Sequence, residues 1–395
     1  MIIPFEFASI PRIIFGAGKL SELYELIPEF GNNVLIVTGG TSLEKSGNWD
    51  IISSNLTQKG FDFSHAFITE EPSPNRIDEI AAKYRTMNID VIVGIGGGSV
   101  TDAGKAISAM IPYQDSIVNY LEGVGTKKPD GKKVPYIAIP TTSGTGSEAT
   151  KNAVISKVGE DGFKKSLRHD NYIPNIAIVD PELMLTCPPS ITGACGMDAF
   201  TQLLEAYVSA KGNPMTNALA YSGLKYMKDN IVPACTSGSD DIGVRTAMAY
   251  GSLMSGITLA NAGLGIVHGL ASPIGGYFEI PHGVVCGTLL AEATKMNILK
   301  LKEKGIEGRP ALMKHSEIGA LMAGEEDFKK GELYKYLDLL IETLEKWTNN
   351  LEIEKLSAYG IAEDDFDKII EKASLKNNPV HLSSDDIRKI LKNRL

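Results

Sequence analysis

The sequence predicts an α/β N-terminal domain with a mostly parallel sheet, followed by an all-α C-terminal domain. Two observations support this fold class. Short apolar, β-branched segments alternate with helical patterns through the first half of the chain. From about Ile191 onward, the pattern has helical period and almost no strand signal. The change falls near the Cys-Pro-Pro that begins at Cys187, so we predict domains over residues 1–187 and 188–395.

Four segments have the composition of buried strands, and they follow one another as NNVLIVTGG, VIVGIGGGS, YIAIPTT and NIAIVDPEL. RIDEIAAKYRTM and DAGKAISAMI lie between them and have helical period, which predicts helices packed on the faces of a parallel sheet. ATKNAVISKV predicts an additional antiparallel excursion. In the second half, helices are predicted from DAFTQLLEAYVSA, NALAYSGLKYMKDNI, DIGVRTAMAYGSLMSG, YKYLDLLIETLEKW and DDFDKIIEKA.

The composition of the chain is ordinary for a globular protein and disfavours several classes of function. Of 395 residues, 43% are hydrophobic and 22% are charged, with a formal net charge of -9. Nucleic acid is disfavoured as a partner, because proteins that bind it carry basic patches that neutralise phosphates. No apolar run reaches the length of a membrane span, and the N-terminus lacks the pattern of a secretory signal. The four cysteines show no CxxC spacing, and we expect a cytoplasmic protein without membrane association.

Two loops rich in glycine and hydroxyl groups follow predicted strands. GIGGGSVTDAGKA leads from a strand into a helix, where three consecutive glycines allow a phosphate to approach the helix N-terminus. PTTSGTGSEAT places hydroxyls and glycines in one loop, which suits hydrogen bonding to a ribose, a phosphate or an amide. Each loop alone is also compatible with a turn that binds nothing. Together, at the carboxyl ends of parallel strands, they indicate a ligand site.

Asp198 and Gln202 are polar positions in a mostly apolar helical segment, four positions apart and therefore on one face. His268 and His282 fall close together in the sequence, each on its own predicted helix. A carboxylate and imidazoles are standard ligands of iron and zinc. The alternative is a solvated face of an amphipathic helix, and spacing alone does not bring Asp198 to the histidines.

Seven segments together resemble the iron-containing (group III) alcohol dehydrogenases: IIFGAGKL, GGGSVTDAGKA, PTTSGTGSEAT, IAIVDPELM, GMDAFTQLLEAYVS, HGLASPIGGYFEIPHG and NNPVHLSSDDI. The resemblance covers nearly the whole chain. It implies the fold shared with dehydroquinate synthase, in which a dinucleotide-binding α/β domain and an all-helical metal-binding domain enclose a catalytic metal. It also implies hydride transfer between NAD(P)(H) and a small alcohol or aldehyde, and we expect a homodimer.

The resemblance further implies which residues bind the dinucleotide. In the family, the GGGSxxDxxK motif binds the pyrophosphate and the PTTSGTGSE loop adds contacts, while EPSPN and FKKSLR align with two more cofactor positions. The predicted cofactor residues are Gly96, Gly97, Gly98, Ser99, Thr101, Asp102, Thr141, Thr142, Thr145, Thr150, Ser73 and Lys164.

The loop after NNVLIVTGG predicts the form of the dinucleotide. The strand ends at Thr38, and NAD-preferring relatives typically carry Asp at the next position, where this chain has Gly39. Such a carboxylate would bind the adenosine ribose hydroxyls and repel a 2′-phosphate. Gly39 and Gly40 remove both charge and bulk, and the loop continues to Ser42 and Lys45, as in the VTGxxS loops of NADP-using members. NADP is therefore favoured over NAD, against the alternative of a glycine turn without selectivity.

The family's metal ligands are an Asp and a His four positions apart, followed by two later histidines. Asp198, His268 and His282 match this set, whereas Gln202 stands in the place of the fourth ligand. An amide oxygen is a weaker ligand than imidazole, but three strong ligands still form a Lewis-acid site, as in the related glycerol dehydrogenases. The expected metal is Fe²⁺ or Zn²⁺. At Ser272 the family usually has a histidine thought to relay a proton, so the sequence identifies no catalytic proton-transfer residue.

Three other interpretations are compatible with the sequence. A lyase resembling 3-dehydroquinate synthase shares the architecture and a bound nicotinamide. It would require a dense basic cluster for a phosphorylated sugar acid, and none surrounds the metal motifs. A glycerol dehydrogenase-like polyol oxidoreductase would use the same three ligands. The third interpretation is a metal-free relative that keeps the fold without catalysis.

Overall fold

The structure, a computed structural model, describes residues 4–325 and 328–395. Its N-terminal half contains a six-stranded sheet in which all paired strands are parallel. The eight strands among the described residues, six in this sheet and two in a separate pair, are β1 (Arg12–Phe15), β2 (Asn33–Thr38), β3 (Asp62–Phe67), β4 (Val91–Gly96), β5 (Tyr136–Pro140), β6 (Asn152–Lys157), β7 (Phe163–Arg168) and β8 (Ile176–Val179). The order across the sheet is β1-β8-β5-β4-β2-β3, and β6 and β7 form a separate antiparallel pair. The parallel sheet and the antiparallel excursion at ATKNAVISKV are both confirmed.

Sequence patterns predict the four central strands of the sheet but not its two edges. The predicted strands are β2, β4, β5 and β8, whose residues are almost all buried. β1 and β3 are only partly buried, and β3 carries Asp62, Ser64 and His65 among its apolar residues. An edge strand pairs on one side only, so it does not need the continuous apolar run that identifies a central strand.

Alternate residues of the central strands face two separate cores. Val34 and Ile36 of β2 belong to one buried cluster, whereas Leu35 and Val37 belong to another. The helices of this half are α1 (Leu23–Leu26), α2 (Ser42–Lys45), α3 (Asn48–Gln58), α4 (Pro74–Tyr84) and α5 (Gly98–Met110). α4 and α5 contribute buried residues to the second cluster, and α1 and α3 contribute to the first. A sheet covered on both faces explains why its central strands are apolar throughout.

The C-terminal half is helical, and residues 188–325 and 328–395 contain no strand. Its helices are α6 (Pro189–Val208), α7 (Pro214–Met227), α8 (Ile231–Ala234), α9 (Ile242–Ala262), α10 (Ile266–Tyr277), α11 (His282–Glu303), α12 (Arg309–Met322), α13 (Leu333–Asn350), α14 (Phe366–Glu371) and α15 (Ser384–Asn393). Among the described residues, no single helix is long and apolar enough to cross a membrane. One pair, α9 with α10, reaches that length only together and is bent by 97°. The last strand ends at Val179 and α6 begins at Pro189, on either side of the boundary predicted at residue 187, which stays a prediction.

The parallel arrangement brings three loops together at one edge of the sheet. β2 ends at Thr38, β4 at Gly96 and β5 at Pro140, and the three strands are neighbours. Because the carboxyl ends of parallel strands meet at the same edge, the loops that follow them lie side by side. These are the loop with Gly39, the GGGS turn and the PTTSGTGSE loop.

Candidate metal centre

A cavity of about 1210 Å³ lies between this edge of the sheet and the helical domain. Its walls include Ser99 and Thr145 from the two glycine-rich loops. They also include Asp198, His268 and His282, which the sequence predicts as metal ligands. The other predicted site residues that line the cavity are Gly98, Asp102, Thr150, Lys164, Gln202 and Ser272. One space therefore brings together the predicted dinucleotide loops and the predicted metal ligands.

The GGGS turn requires glycine because neighbouring side chains approach it closely. A Cβ on Gly98 would lie 2.6 Å from Thr145 Cγ2, and one on Gly96 would lie 2.6 Å from Val100 Cγ2. Helix α5 begins at Gly98, so the first N–H groups of the helix have no intrahelical acceptor. N–H groups at a helix N-terminus bind phosphate oxygens. The turn therefore has the form that the sequence predicts for a pyrophosphate cradle.

Lys105 joins the two glycine-rich loops and is almost fully buried. Its Nζ lies 2.8 Å from both the carbonyl oxygen and Oγ of Ser147, 3.0 Å from Thr150 Oγ1 and 2.6 Å from the Asn152 carbonyl oxygen. Asp102 Oδ1 lies 3.5 Å from the same nitrogen and accepts a hydrogen bond from Ser147 Oγ. A buried ammonium group thus holds the PTTSGTGSE loop against α5. Thr150 and Asp102 serve this network as well as lining the cavity.

We expect Lys105→Met to lower the free energy of unfolding by about 3–5 kcal/mol, because it leaves the Asp102 carboxylate buried without its cation. Methionine keeps much of the aliphatic length, so the loss reports on the ammonium group. Chemical denaturation followed by circular dichroism measures it. The matched control is Lys165→Met on the exposed face of β7, which we expect to change stability by less than about 0.5 kcal/mol. A similarly small loss for Lys105→Met would contradict the structural role of this lysine.

Thr101 is the predicted cofactor residue that the structure turns into the protein interior. Its side chain is 1% exposed, and its hydroxyl donates to the Gly97 carbonyl oxygen (3.2 Å). Its backbone N–H donates to the same oxygen (3.0 Å). Both polar hydrogens of Thr101 are thus engaged at the start of α5, where they support the turn, and its contact with a dinucleotide stays a prediction.

The remaining predicted cofactor residues lie near the carboxyl ends of the strands, at the same sheet edge, and are not among the residues that line the cavity. Thr141 and Thr142 follow β5 and are partly buried. Ser73 caps α4, where its Oγ accepts a hydrogen bond from the Arg76 N–H (3.4 Å). The others are Gly39 and Gly40 after β2, Ser42 at the start of α2, Gly96 at the end of β4 and Gly97 just before α5. Their contacts with a dinucleotide stay a prediction.

Asp198, His268 and His282 converge although they come from three helices. Asp198 lies on α6, His268 on α10, and His282 at the start of α11. The Nε2 atoms of His268 and His282 lie 3.1 Å and 3.7 Å from Asp198 Oδ1. Asp198 is 2% exposed, so the three groups meet at a buried end of the cavity. The fold supplies the juxtaposition that sequence spacing cannot.

Glycine allows α11 to approach α6 closely enough to form this cluster. Gly283 follows His282, and a Cβ there would lie 2.3 Å from the Ala194 carbonyl oxygen. One turn further along α11, a Cβ on Gly287 would lie 3.0 Å from Met197 Cβ. A larger residue at either position would push the two helices apart.

Glu205 fixes the orientation of His268. Its Oε2 lies 2.7 Å from His268 Nδ1, and its Oε1 accepts a hydrogen bond from the Val267 N–H (2.7 Å). The imidazole therefore donates through Nδ1 and directs Nε2 toward Asp198. A carboxylate on the far nitrogen of an imidazole is the usual support of a metal-binding histidine.

Gln202 lies beside the cluster with its amide group already paired. Its Nε2 donates to Asp198 Oδ1 (3.1 Å), and its Oε1 accepts a hydrogen bond from Ser255 Oγ (2.8 Å). An ionised carboxylate only accepts hydrogen bonds, so the amide nitrogen must face Asp198. That nitrogen has no lone pair to offer a metal. The arrangement is consistent with Gln202 as a weak ligand or no ligand.

The electrostatics of the cluster favour an ionised Asp198 and a neutral His282. Burial alone would raise the pKa of Asp198, but its interactions with His282 and His268 lower that pKa to about 2. Burial lowers the pKa of His282 to about 4. At neutral pH these two groups therefore present lone pairs, which is the state in which carboxylate and imidazole bind a metal. Burial lowers the pKa of His268, but its contacts with Cys286, Asp198 and Glu205 raise that pKa well above its ordinary value, so a metal would displace a proton from this imidazole.

Two residues of the cluster are missing from the sequence prediction. Cys286 lies one turn after His282 on α11, and its Sγ is 3.6 Å from His268 Nε2 and 3.7 Å from His282 Nε2. Glu205 lies one turn after Gln202 on α6. Both follow the spacing of three or four positions that places side chains on one helix face. That spacing places both residues on helix faces that carry predicted ligands, but it does not distinguish them from the other residues of those faces.

Ser272 lies on α10 one turn after His268 and lines the cavity. Its Oγ donates to the Lys164 carbonyl oxygen (3.0 Å), which links α10 to β7. The Lys164 Nζ pairs with Glu71 Oε2 at 3.0 Å. The position at which the family usually has a histidine therefore carries a hydroxyl beside an ion pair.

Sequence profiles of one known family match both halves of the chain. The profile described as iron-containing alcohol dehydrogenase matches residues 11–181, and that of the Fe-containing alcohol dehydrogenase family, C-terminal, matches residues 192–395. Long-chain-alcohol dehydrogenase 1 of Geobacillus thermodenitrificans (strain NG80-2) is 32% identical over 97% of this chain and 96% of its own length. The NAD-dependent methanol dehydrogenase of Bacillus methanolicus is 29% identical over 98% of each chain. The NADPH-dependent butanol dehydrogenase of Clostridium saccharobutylicum is 29% identical over 97% of this chain and 96% of its own.

The fold is also that of solved alcohol dehydrogenase structures. An archaeal halo-thermophilic Red Sea brine pool alcohol dehydrogenase is similar with a TM-score of 0.89 and 26% identity. The similarity covers 100% of this chain and 99% of that chain, so both halves and their arrangement are shared.

Proposed function

Because the chain belongs to the iron-containing alcohol dehydrogenase family, we propose that it is a metal-dependent alcohol dehydrogenase. It transfers a hydride between NAD(P)(H) and a small alcohol or aldehyde. The observation that carries this proposal is the shared cavity. Asp198, His268 and His282 line the same space as Ser99 at the N-terminus of α5 and Thr145 of the adjacent loop.

Asp198, His268 and His282 are the residues that would hold the metal. One carboxylate and two imidazoles form a donor set that fits both Fe²⁺ and Zn²⁺. When bound, the metal supplies a Lewis acid that polarises the substrate oxygen, and the nicotinamide supplies or accepts the hydride. The chain itself positions the ligands. Glu205 fixes the orientation of the His268 ring, and the surrounding helices bury Asp198.

The cavity carries both apolar and polar side chains, so its lining is compatible with a small alcohol and with a polyol. A polyol would require a hydrogen-bond partner for each additional hydroxyl that it buries. The apolar side chains that line the cavity include Ile191, Leu259, Leu264, Val284 and Leu351. The polar ones include Ser190, Thr236 and Asn350, so activity with alcohols and polyols, rather than the lining, separates the two alternatives.

A lyase acting on a phosphorylated sugar acid is disfavoured by the charges of the cavity. Among the described lining residues, the Lys and Arg side chains are those of Lys164 and Arg168. Lys164 pairs with Glu71 (3.0 Å), and Arg168 lies 3.5 Å from Glu122. Binding a phosphate and a carboxylate would require several cations that are not already paired.

NADP is the dinucleotide that we propose this enzyme prefers. The relatives include both NAD- and NADPH-dependent enzymes, so family membership leaves the preference open. At the end of β2, Gly39 provides no carboxylate that would repel a 2′-phosphate. Ser42 and Lys45 follow on α2 and are exposed, so a hydroxyl and an ammonium group are available to bind that phosphate.

We expect Ser272→His to change the pH dependence of kcat more than the KM for the cofactor. An imidazole at position 272 would lie one turn from His268 and would titrate between about pH 5 and 8. Serine has no such ionisation, so the wild-type proton would leave through the Ser272 hydroxyl, a cofactor hydroxyl or water. Rates measured across pH for both proteins test this. An identical profile in Ser272→His would mean that position 272 takes no part in proton transfer.

The proposed function is tested by following nicotinamide absorbance with a panel of small alcohols, aldehydes and polyols. We expect turnover of small alcohols and aldehydes by metal-loaded protein, loss of turnover on chelation, and recovery when the metal is restored. Turnover of polyols alone would replace the proposal with the glycerol dehydrogenase-like alternative. No turnover of any substrate in the panel by folded, metal-loaded protein would contradict it.

A further inference from the structure

We propose that Cys286 is the fourth protein ligand of this metal, which makes the centre an Asp-His₂-Cys site suited to Zn²⁺. The proposal rests on the proposed function only for the presence of a metal. Its starting point is position, because Cys286 follows His282 by one turn on α11 and shares its helix face. The donor atoms of Asp198, His268, His282 and Cys286 all lie within 4.8 Å of one another.

Four of the separations between these donor atoms are close to the edges of a tetrahedron around zinc. With bonds of about 2.0–2.1 Å to nitrogen and about 2.3 Å to sulfur, tetrahedral neighbours are about 3.3 Å apart for N and O, and about 3.6 Å apart for N and S. Cys286 Sγ lies 3.6 Å from His268 Nε2 and 3.7 Å from His282 Nε2. Asp198 Oδ1 lies 3.1 Å and 3.7 Å from the same two nitrogens. Each imidazole nitrogen therefore lies at about the spacing of one coordination sphere from both the thiol and the carboxylate, and all four donors lie within 4.8 Å of one another.

Cys286 lies on the side of the cluster away from the cavity. Asp198, His268 and His282 line the cavity, whereas Cys286 is outside its described lining and is 0% exposed. A thiolate there would bind the metal from the protein side, with release of the thiol proton. The cavity side would remain free for the substrate, because a zinc centre can expand to five ligands during catalysis.

The thiol supplies a ligand where Gln202 does not. Gln202 directs its Nε2 to Asp198 and its Oε1 to Ser255, so it supports a ligand by hydrogen bonding. With Cys286 the chain again offers four protein ligands, the number that the family pattern has with its additional histidine. A thiolate is softer than an imidazole and is a preferred ligand of zinc. We therefore infer that this centre takes Zn²⁺ in preference to Fe²⁺.

Cobalt is the probe that distinguishes a sulfur ligand, because Co²⁺ bound to thiolate has a charge-transfer absorption that its nitrogen and oxygen complexes lack. Full-length protein freed of metal is titrated with Co²⁺ and followed in the near ultraviolet. We expect one equivalent of cobalt and a thiolate band in the wild type, and no such band in Cys286→Ser. The matched control is Cys195→Ser, which removes a thiol that lines the same cavity outside the cluster and should leave the band unchanged.

The outcomes separate this inference from the proposed function. Cobalt that binds without the thiolate band, or with a band that survives Cys286→Ser, would overturn Cys286 as a ligand and leave the three-ligand site intact. A wild-type protein that binds no cobalt would contradict the metal centre itself and, with it, the proposed function.

Zinc affinity provides a second readout. The affinity for Zn²⁺ is measured in competition with a zinc-binding chelator. Removing a hydrogen-bond partner of a metal ligand typically lowers metal affinity by about 10- to 100-fold. We expect Cys286→Ser, which removes a ligand itself, to lower the Zn²⁺ affinity by at least that factor. Gln202→His in this background should recover part of the affinity, because position 202 already lies beside Asp198. Circular dichroism establishes that each variant is folded. Equal zinc affinities in the wild type and a folded Cys286→Ser would overturn the inference.

Discussion

Alanine in place of Asp198 or His268 is expected to remove the bound metal and to lower kcat/KM for a small alcohol by about 1000-fold or more. Lewis-acid stabilisation by a metal is worth several kcal/mol, and each 1.4 kcal/mol corresponds to about tenfold in rate. Asp198 Oδ1 lies within 3.7 Å of both histidine Nε2 atoms, so its loss removes the one carboxylate that contacts both imidazoles. The measurements are elemental analysis of protein prepared without chelator and initial rates with the preferred dinucleotide.

Two further variants calibrate this result. Cys195→Ser changes a residue in the wall of the cavity outside the cluster and should keep its metal. Glu205→Gln removes the acceptor for His268 Nδ1 while an amide oxygen can still accept from Val267, so we expect an intermediate loss of about 10- to 100-fold. If Asp198→Ala and His268→Ala both kept wild-type metal content and activity, the site would be wrongly assigned.

Gly39→Asp is expected to shift the ratio of kcat/KM for NADPH over NADH by about 10- to 100-fold toward NADH. The new carboxylate would accept hydrogen bonds from the adenosine ribose hydroxyls and would repel the 2′-phosphate. The loop can accommodate it, because a Cβ on Gly39 would meet Val100 Cγ2 at 3.5 Å, an ordinary contact. Steady-state kinetics with one aldehyde and both reduced dinucleotides give the ratio.

The control for this substitution adds the same charge at a position outside the sheet edge. Gly331 precedes α13 in the helical domain, and a Cβ there meets nothing within 4 Å. Gly331→Asp should leave the cofactor ratio unchanged. A wild-type enzyme that already prefers NADH, or a Gly39→Asp variant with the wild-type ratio, would contradict the proposed preference for NADP.

The central strands were predictable from the sequence because burial on both faces requires apolar residues at every position. Val34 to Val37 of β2 are fully buried and read as one continuous run. The edge strands lack this continuous apolar run. β3, for example, is only partly buried and carries Asp62 and His65. The His65 Nε2 atom is hydrogen-bonded to Thr38 Oγ1 (2.7 Å), and its ring stacks on Trp49. No local sequence pattern predicts these contacts.

The individual residues of the candidate site were largely predictable from the sequence, but the way in which they come together was not. Asp198, His268 and His282 follow from the resemblance, but their convergence depends on how α6, α10 and α11 pack in three dimensions. Cys286 resembles an ordinary buried residue in sequence, since free cysteine is often buried for packing alone. Its distance from two imidazoles is what gives it a chemical role, and that distance comes from tertiary structure.

Anomalous X-ray scattering from crystals of the Zn²⁺-loaded protein, measured at the zinc absorption edge, tests the metal centre most directly. The expected result is one strong peak at bonding distance, about 2.0–2.2 Å, from donor atoms of Asp198, His268 and His282. A peak at any other place in the molecule, from protein shown to contain one equivalent of zinc, would contradict the assignment of this site and the function built on it.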